Sequence, residues 1–300
     1  MPVEIPYKTD NEPKIGFIEF DKANFKTVTW KAPESIPYKG RIIYVHGFSE
    51  HATIYTEYFD KLSQKGYDIF FFDQRGAGET SPGDQVGKTD EAHTFNDLDF
   101  MIKHNLDLKK DSTEKFFLMG HLMGGGIVLN YAIKGKYREH IKGIVVCAPL
   151  VLLHPKTQPN FVVRALSPLI NKLVPNLKID SKLNYDYITS NEGWKNYIMK
   201  HDTKLIGTVR QFFDMFARGE ALTKPEFVSK FNPETSLLLV HGTNDNINWI
   251  DGTRKFYRLV DDKIDKSFSE IKDGRHSLFI ENETIFKDVF DKVLTFLNSH

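Results

Sequence analysis

Residues 120–124 read Gly-His-Leu-Met-Gly. Two glycines four positions apart, directly after the apolar run Lys115–Met119, have the spacing of a sharp strand-to-helix turn of the pattern G-x-S-x-G. In such an elbow the flanking backbones pack too closely for a Cβ, and the central side chain stands exposed above the sheet. A serine there would attack a carbonyl; Leu122, which occupies the position here, has no atom that can. The residues around it nonetheless fit acyl transfer. A serine alcohol is a weak nucleophile at neutral pH, so the reaction needs a histidine to take its proton, an acid to orient that histidine, and N–H donors for the oxyanion. The candidates are His276 as base, Asp245 as acid, and the backbone N–H groups of Phe48 and Met123 as donors. Taken singly, His46-Gly47 reads as a tight turn, Asp245 as a turn residue and His276 as a surface histidine.

Taken together, these residues follow strands in an informative order. The apolar runs Arg41–Val45, Tyr67–Phe72, Lys115–Met119, Ile141–Cys147 and Ser236–Val240 alternate with helical patterns, the rhythm of a parallel sheet. His46-Gly47-Phe48 follows the first of them, the elbow the third, Asp245 the fifth, and Gly274-Arg275-His276 a further strand at 267–271. Open α/β sheets place their sites at these carboxyl ends, and nucleophile position, acid, histidine is the chain order of α/β-hydrolases. An antiparallel hairpin is expected at 15–21 and 24–30, joined through Lys22 and Ala23, and helices near 52–65, 90–109, 123–134, 253–260 and 283–297. The segment 150–232, mostly helical with prolines, interrupts the alternation. The expected organisation is therefore a hydrolase core in two parts, 1–149 and 233–300, with a helical cap inserted after the sixth strand.

Composition narrows the function. The chain has 300 residues, 40 basic and 40 acidic, so neither its net charge nor any basic run interleaved with aromatics suggests nucleic acid. The single Cys147 cannot form an internal disulfide; at a strand end it reads as a small buried hydrophobe rather than a replacement nucleophile. The start Met1-Pro2-Val3-Glu4 lacks the basic end and apolar stretch of a secretory signal, which makes a cytoplasmic location the expectation. No apolar stretch approaches the ~18 residues of a membrane span, so membrane contact is expected to be peripheral. No metal or cofactor is expected, and oligomeric state is not written in the sequence.

The segments HGFSEH at 46–51, FFDQRGAGETSPG at 71–83, FNDLDF at 95–100, GHLMGGG at 120–126, PLVLLHP at 149–155, HGTNDNIN at 241–248 and GRHSLF at 274–279 resemble those of the monoacylglycerol lipases of the α/β-hydrolase superfamily, the fungal members in particular. The resemblance covers nearly the whole chain. It implies hydrolysis of monoacylglycerol to fatty acid and glycerol, with Asp245 and His276 in the triad, Phe48 and Met123 as oxyanion donors, and Leu122 in the nucleophile's place. It further implies Glu50 and His121 near the glycerol head, and a cap in peripheral contact with lipid droplets or membranes. Asp73 and Arg75 read as structural, expected to satisfy one another at a Gly-rich turn.

Within the cap, Val162, Leu166, Leu169, Ile170 and Leu173 share one helical face, with Arg164, Asn171 and Lys172 elsewhere and Pro168 expected to bend or break the helix. That stripe either packs on the rest of the cap or, as the resemblance implies, lines an acyl tunnel or meets a lipid surface; Phe212, Phe213, Met215 and Phe216 could extend such a wall. Three accounts of Leu122 stay open: an engineered inactivation, a natural silent protein that binds lipid or a partner, or standard-code translation of a CUG codon that some yeasts read as serine.

Overall fold

A computed structural model of the protein describes residues 4–109, 111–202 and 205–300, without the side chains of residues 161, 162 and 164. The chain opens with β1 (Lys14–Phe20) and β2 (Ala23–Trp30), an antiparallel hairpin at one edge of the sheet. Phe20 pairs with Ala23, so the turn is Asp21-Lys22, one residue earlier than the sequence suggested. Both turn residues have positive φ, 42° and 64°, as a two-residue hairpin matching the right-handed strand twist requires.

Then follow β3 (Gly40–Val45), α1 (Thr56–Ser63), β4 (Tyr67–Phe72), α2 (Glu91–Leu108), β5 (Phe116–His121), α3 (Leu122–Lys134) and β6 (Ile141–Cys147). The insertion comprises α4 (Phe161–Leu173), β7 (Lys178–Asp180), α5 (Glu192–His201), β8 (Ile206–Thr208), α6 (Val209–Ala221) and α7 (Pro225–Val228). The sheet resumes with β9 (Ser236–Gly242), α8 (Ile250–Leu259) and β10 (Lys266–Ile271), and α9 (Glu283–Ser299) closes the chain.

The eight strands of the main sheet run in the order β1-β2-β4-β3-β5-β6-β9-β10, parallel from β4 onward. β4 and β5 are buried at every residue, because helices cover the sheet and leave the strands no solvent face. That burial explains why these strands are continuous apolar runs rather than alternating ones. The parallel register sets the carboxyl ends of β3, β5, β9 and β10 along one edge, where the loops carrying the candidate residues emerge.

The insertion lies on the core through α6, which packs against both α3 and α4. Helix α4 continues through Pro168 without a break. Pro168 is exposed.

Candidate active site

Strand β5 passes into α3 with no intervening residue, and Leu122 makes the turn at φ 52°, in the left-handed region. That conformation costs a residue with a Cβ about 1–2 kcal/mol. A Cβ on Gly124 would lie 2.0 Å from the Val45 carbonyl oxygen, and one on Gly120 would lie 2.7 Å from that of Gly124, so sterics require both glycines. The same closeness brings the β3 loop to the elbow: a Cβ on Gly47 would meet the Leu122 Cβ at 2.8 Å. Leu122 itself is buried, at 8% exposure. Met123 is the second residue of α3, so its N–H is among the first four of the helix, which have no intrahelical partner. Phe48 stands one residue past Gly47, its ring against Phe212 of α6.

Asp245 and His276, from the loops after β9 and β10, meet in the interior. The His276 Nδ1–H donates to Asp245 Oδ2 at 2.9 Å, while Asp245 Oδ1 accepts the backbone N–H groups of Ile247 (2.8 Å) and Asn248 (3.0 Å). Burial alone would raise the Asp245 pKa, but His276 and His241 beside it hold the carboxyl well below the usual range. Burial lowers the His276 pKa, with Asp245 opposing, so the ring favours the neutral form. Its Nε2 is buried and has no hydrogen-bond partner among the described residues. A neutral imidazole with one nitrogen oriented by a carboxylate and the other bare has the arrangement that general-base chemistry requires.

Glu50 and His121 form a second buried pair, Nδ1 to Oε1 at 2.6 Å. Tyr55 donates to Glu50 Oε2 at 2.6 Å, and the Gly47 N–H donates to the same oxygen. The remaining His121 nitrogen reaches the His276 carbonyl oxygen at 3.2 Å, and the two imidazole rings lie 4.6 Å apart. His121 therefore has no free ring nitrogen for a ligand, whereas Glu50 edges a cavity of about 340 Å³ between core and insertion. Phe48, Met123, Gln211 and His51 also line that cavity.

The α4 residues are placed differently. Leu166, Leu169 and Leu173 are 47%, 54% and 68% exposed, Ile170 is half-buried, and none of the four lines the cavity. The Val162 side chain is outside the described residues. Asn171, expected to point away from the apolar face, is the buried residue of this turn. On α6, Met215 is buried and Phe212, Phe213 and Phe216 are half-buried.

Asp73 and Arg75 do not pair with one another as expected. Arg75 makes a bidentate bond to Asp97 (2.8 and 2.9 Å), and Asp73 accepts the Glu79 N–H at 2.8 Å. The tight turn directs the two side chains to different elements. Sequence reasoning also assigned no role to three residues that brace the site. His241 contacts Asp245 Oδ2 at 3.1 Å, Tyr55 holds Glu50, and Gln74 donates its backbone N–H to the buried His46 ring at 2.9 Å. Only His241, four residues before Asp245 and in the same strand-end motif, carried a local signal.

A mostly parallel sheet with this elbow and this acid–histidine pair defines an α/β-hydrolase. Residues 36–283 match the family described as serine aminopeptidase, S33 (Hydrolase_4), and the chain belongs to that family. It is 36% identical to the monoglyceride lipase of Saccharomyces cerevisiae over 98% of this chain and 96% of that one. It is 34% identical to a putative monoglyceride lipase of Schizosaccharomyces pombe, over 93% and 72% of the two chains. The crystal structure of a soluble variant of the Saccharomyces cerevisiae monoglyceride lipase, in complex with a substrate analogue, superposes with a TM-score of 0.93 at 35% identity, covering 99% of this chain and 98% of that one. No helix among the described residues is long and apolar enough to cross a membrane.

Proposed function

We propose that this protein has the site of a monoacylglycerol lipase, with Leu122 in the place of the nucleophilic serine, and that the chain as written is catalytically silent. The observation that carries the reading is the bare, buried Nε2 of His276, oriented through Nδ1 by Asp245, in a site whose elbow residue adopts the left-handed turn. With serine at 122, Oγ would attack the ester carbonyl as Nε2 takes its proton. The oxyanion would face the Phe48 and Met123 N–H groups, and the proton would pass to the leaving glycerol oxygen. Water, deprotonated by the same nitrogen, would then release the fatty acid. Glu50 would face the glycerol head, with His121 behind it.

Residues 150–232 are assigned as a cap, and the outward leucines of α4 as its contact with a lipid droplet or membrane surface. The similarity to the two yeast lipases supports the substrate class. The test is Leu122→Ser. Hydrolysis of monoacylglycerol by that variant should exceed the parent by about 10⁶-fold, and should vanish on His276→Ala. A folded Leu122→Ser protein that is inactive on monoacylglycerols and on short activated esters alike would refute the reading and favour a lipid-binding role without catalysis.

A further inference from the structure

Among the described residues, His121 meets only acceptors. Its Nδ1 faces the Glu50 carboxylate at 2.6 Å and the Tyr55 oxygen at 3.1 Å, and its Nε2 faces the His276 carbonyl at 3.2 Å. The Tyr55 proton is spent on Glu50, so it cannot serve Nδ1. A ring nitrogen can bond to a carbonyl or to an ionised carboxylate only by donating an N–H; with Glu50 ionised, both ring nitrogens carry hydrogen. Glu50 Oε2 already accepts two donors, the Tyr55 hydroxyl and the Gly47 N–H, which stabilises the anion.

We propose that His121 is a buried imidazolium held by Glu50 and acts as a positioning residue for the base: it fixes the His276 backbone through Nε2–H, sets a positive charge against the His276 ring, and through Glu50 ties the base loop to the loop of Phe48. The charge disfavours a second proton on His276, whose task requires a bare nitrogen. The groups facing the two rings are Glu50, Tyr55, Asp245 and the buried Cys147 beside His121 on β6. Burial pulls His121 down, but Glu50 holds it above its ordinary value; for His276, burial and the His121 charge act in one direction and Asp245 in the other. In carrying a role for His276, the proposal rests on the lipase reading.

Ring ¹⁵N–¹H NMR on the chain as it stands tests the pair without any turnover. At pH 7 both His121 nitrogens should show attached protons. Glu50→Gln should make His121 lose its proton at lower pH, and His121→Gln should make His276 titrate at higher pH. A merely structural His121 would leave the His276 titration where it was. One bare His121 nitrogen in the parent protein at pH 7 overturns the proposal, and that measurement needs no variant to fold. An unmoved His276 in a folded His121→Gln protein overturns it as well. In the Leu122→Ser background, His121→Gln should move the acid limb of kcat/KM to higher pH. Absence of hydrolysis by Leu122→Ser with the NMR results as expected would sink the substrate reading and leave the ion pair standing.

Discussion

In the proposed mechanism, two side chains with one charge state each account for most of the chemistry. Asp245 is ionised because His276, His241 and two backbone N–H groups surround it, and His276 is neutral because burial outweighs the carboxylate beside it. Asp245→Asn in the Leu122→Ser background would leave the ring in place but favour the wrong tautomer. The expected loss in kcat is about 10⁴-fold, read by steady-state ester hydrolysis, with little change in KM. Cys147 makes the opposite case. Burial pushes its thiol far up, so it is neither thiolate nor nucleophile, and a thiol reagent at pH 8 should label it only as fast as the protein unfolds. Labelling within seconds in native buffer would contradict that. At this scale the contact of Asp245 with His276 and the strand-to-helix turn at Leu122 were legible in the sequence, because each residue sits in a short motif at a strand end. Tyr55 and Glu50 were not legible as partners of His121, since nothing local marks a contact made between the start of α1, the β3 loop and the end of β5.

The elements obey their own constraints. The β5–α3 junction tolerates no Cβ at position 124, where the obstacle is backbone, whereas a Cβ on Gly83, at φ 61°, would meet nothing within 4 Å. Gly124→Ala should therefore destabilise by about 3 kcal/mol or more, and Gly83→Ala by only about 1 kcal/mol, the cost of left-handed backbone alone; urea denaturation separates the two. Strand and helix positions followed from periodicity to within a few residues, because buried parallel strands and amphipathic helices write their spacing into the chain. Periodicity names the residues that share a face and not what the face meets. For α4 the stripe was visible, yet its direction was set by the elements around it, which bury Asn171 and leave Leu166, Leu169 and Leu173 outward. Replacing those three leucines by aspartate should leave the melting temperature nearly unchanged, since exposed positions contribute within about ±0.5 kcal/mol each. Binding to lipid vesicles should weaken by about a hundredfold or more if each leucine contributes about 1 kcal/mol of apolar transfer. A large fall in melting temperature would instead place the stripe in the core, and unchanged vesicle binding would remove the lipid surface from the role proposed for residues 150–232.

Across the whole molecule, acidic and basic residues balance, so pH dependence near neutrality is governed by the few buried histidines rather than by general charge repulsion. His46 and His276 are both held below their ordinary value of 6.5, chiefly by burial. Each therefore binds its proton in the unfolded chain before it does in the folded one. The stability lost this way begins near pH 6.5 and grows as pH falls toward the lowered folded values. Two such groups give a slope of at most about 2.7 kcal/mol per pH unit. His121 has the opposite sign: its folded value is raised, so its contribution is complete below 6.5 and is lost only as pH rises through that raised value. It cannot offset the acid loss. Asp245, held low, keeps its contribution until pH falls below the ordinary carboxylate value of 3.8. The expected profile is a dome with its maximum near neutrality, steep on the acid side down to pH 5 and shallower on the alkaline side. Urea midpoints at pH 5, 6, 7 and 8 trace it, and His46→Gln should flatten the acid side, because glutamine binds no proton in the unfolded chain. A midpoint that stays constant from pH 7.5 to 5 would mean that these rings take up their protons at the same pH in the folded protein as in the unfolded chain, and the lowering of His276 by burial would be refuted.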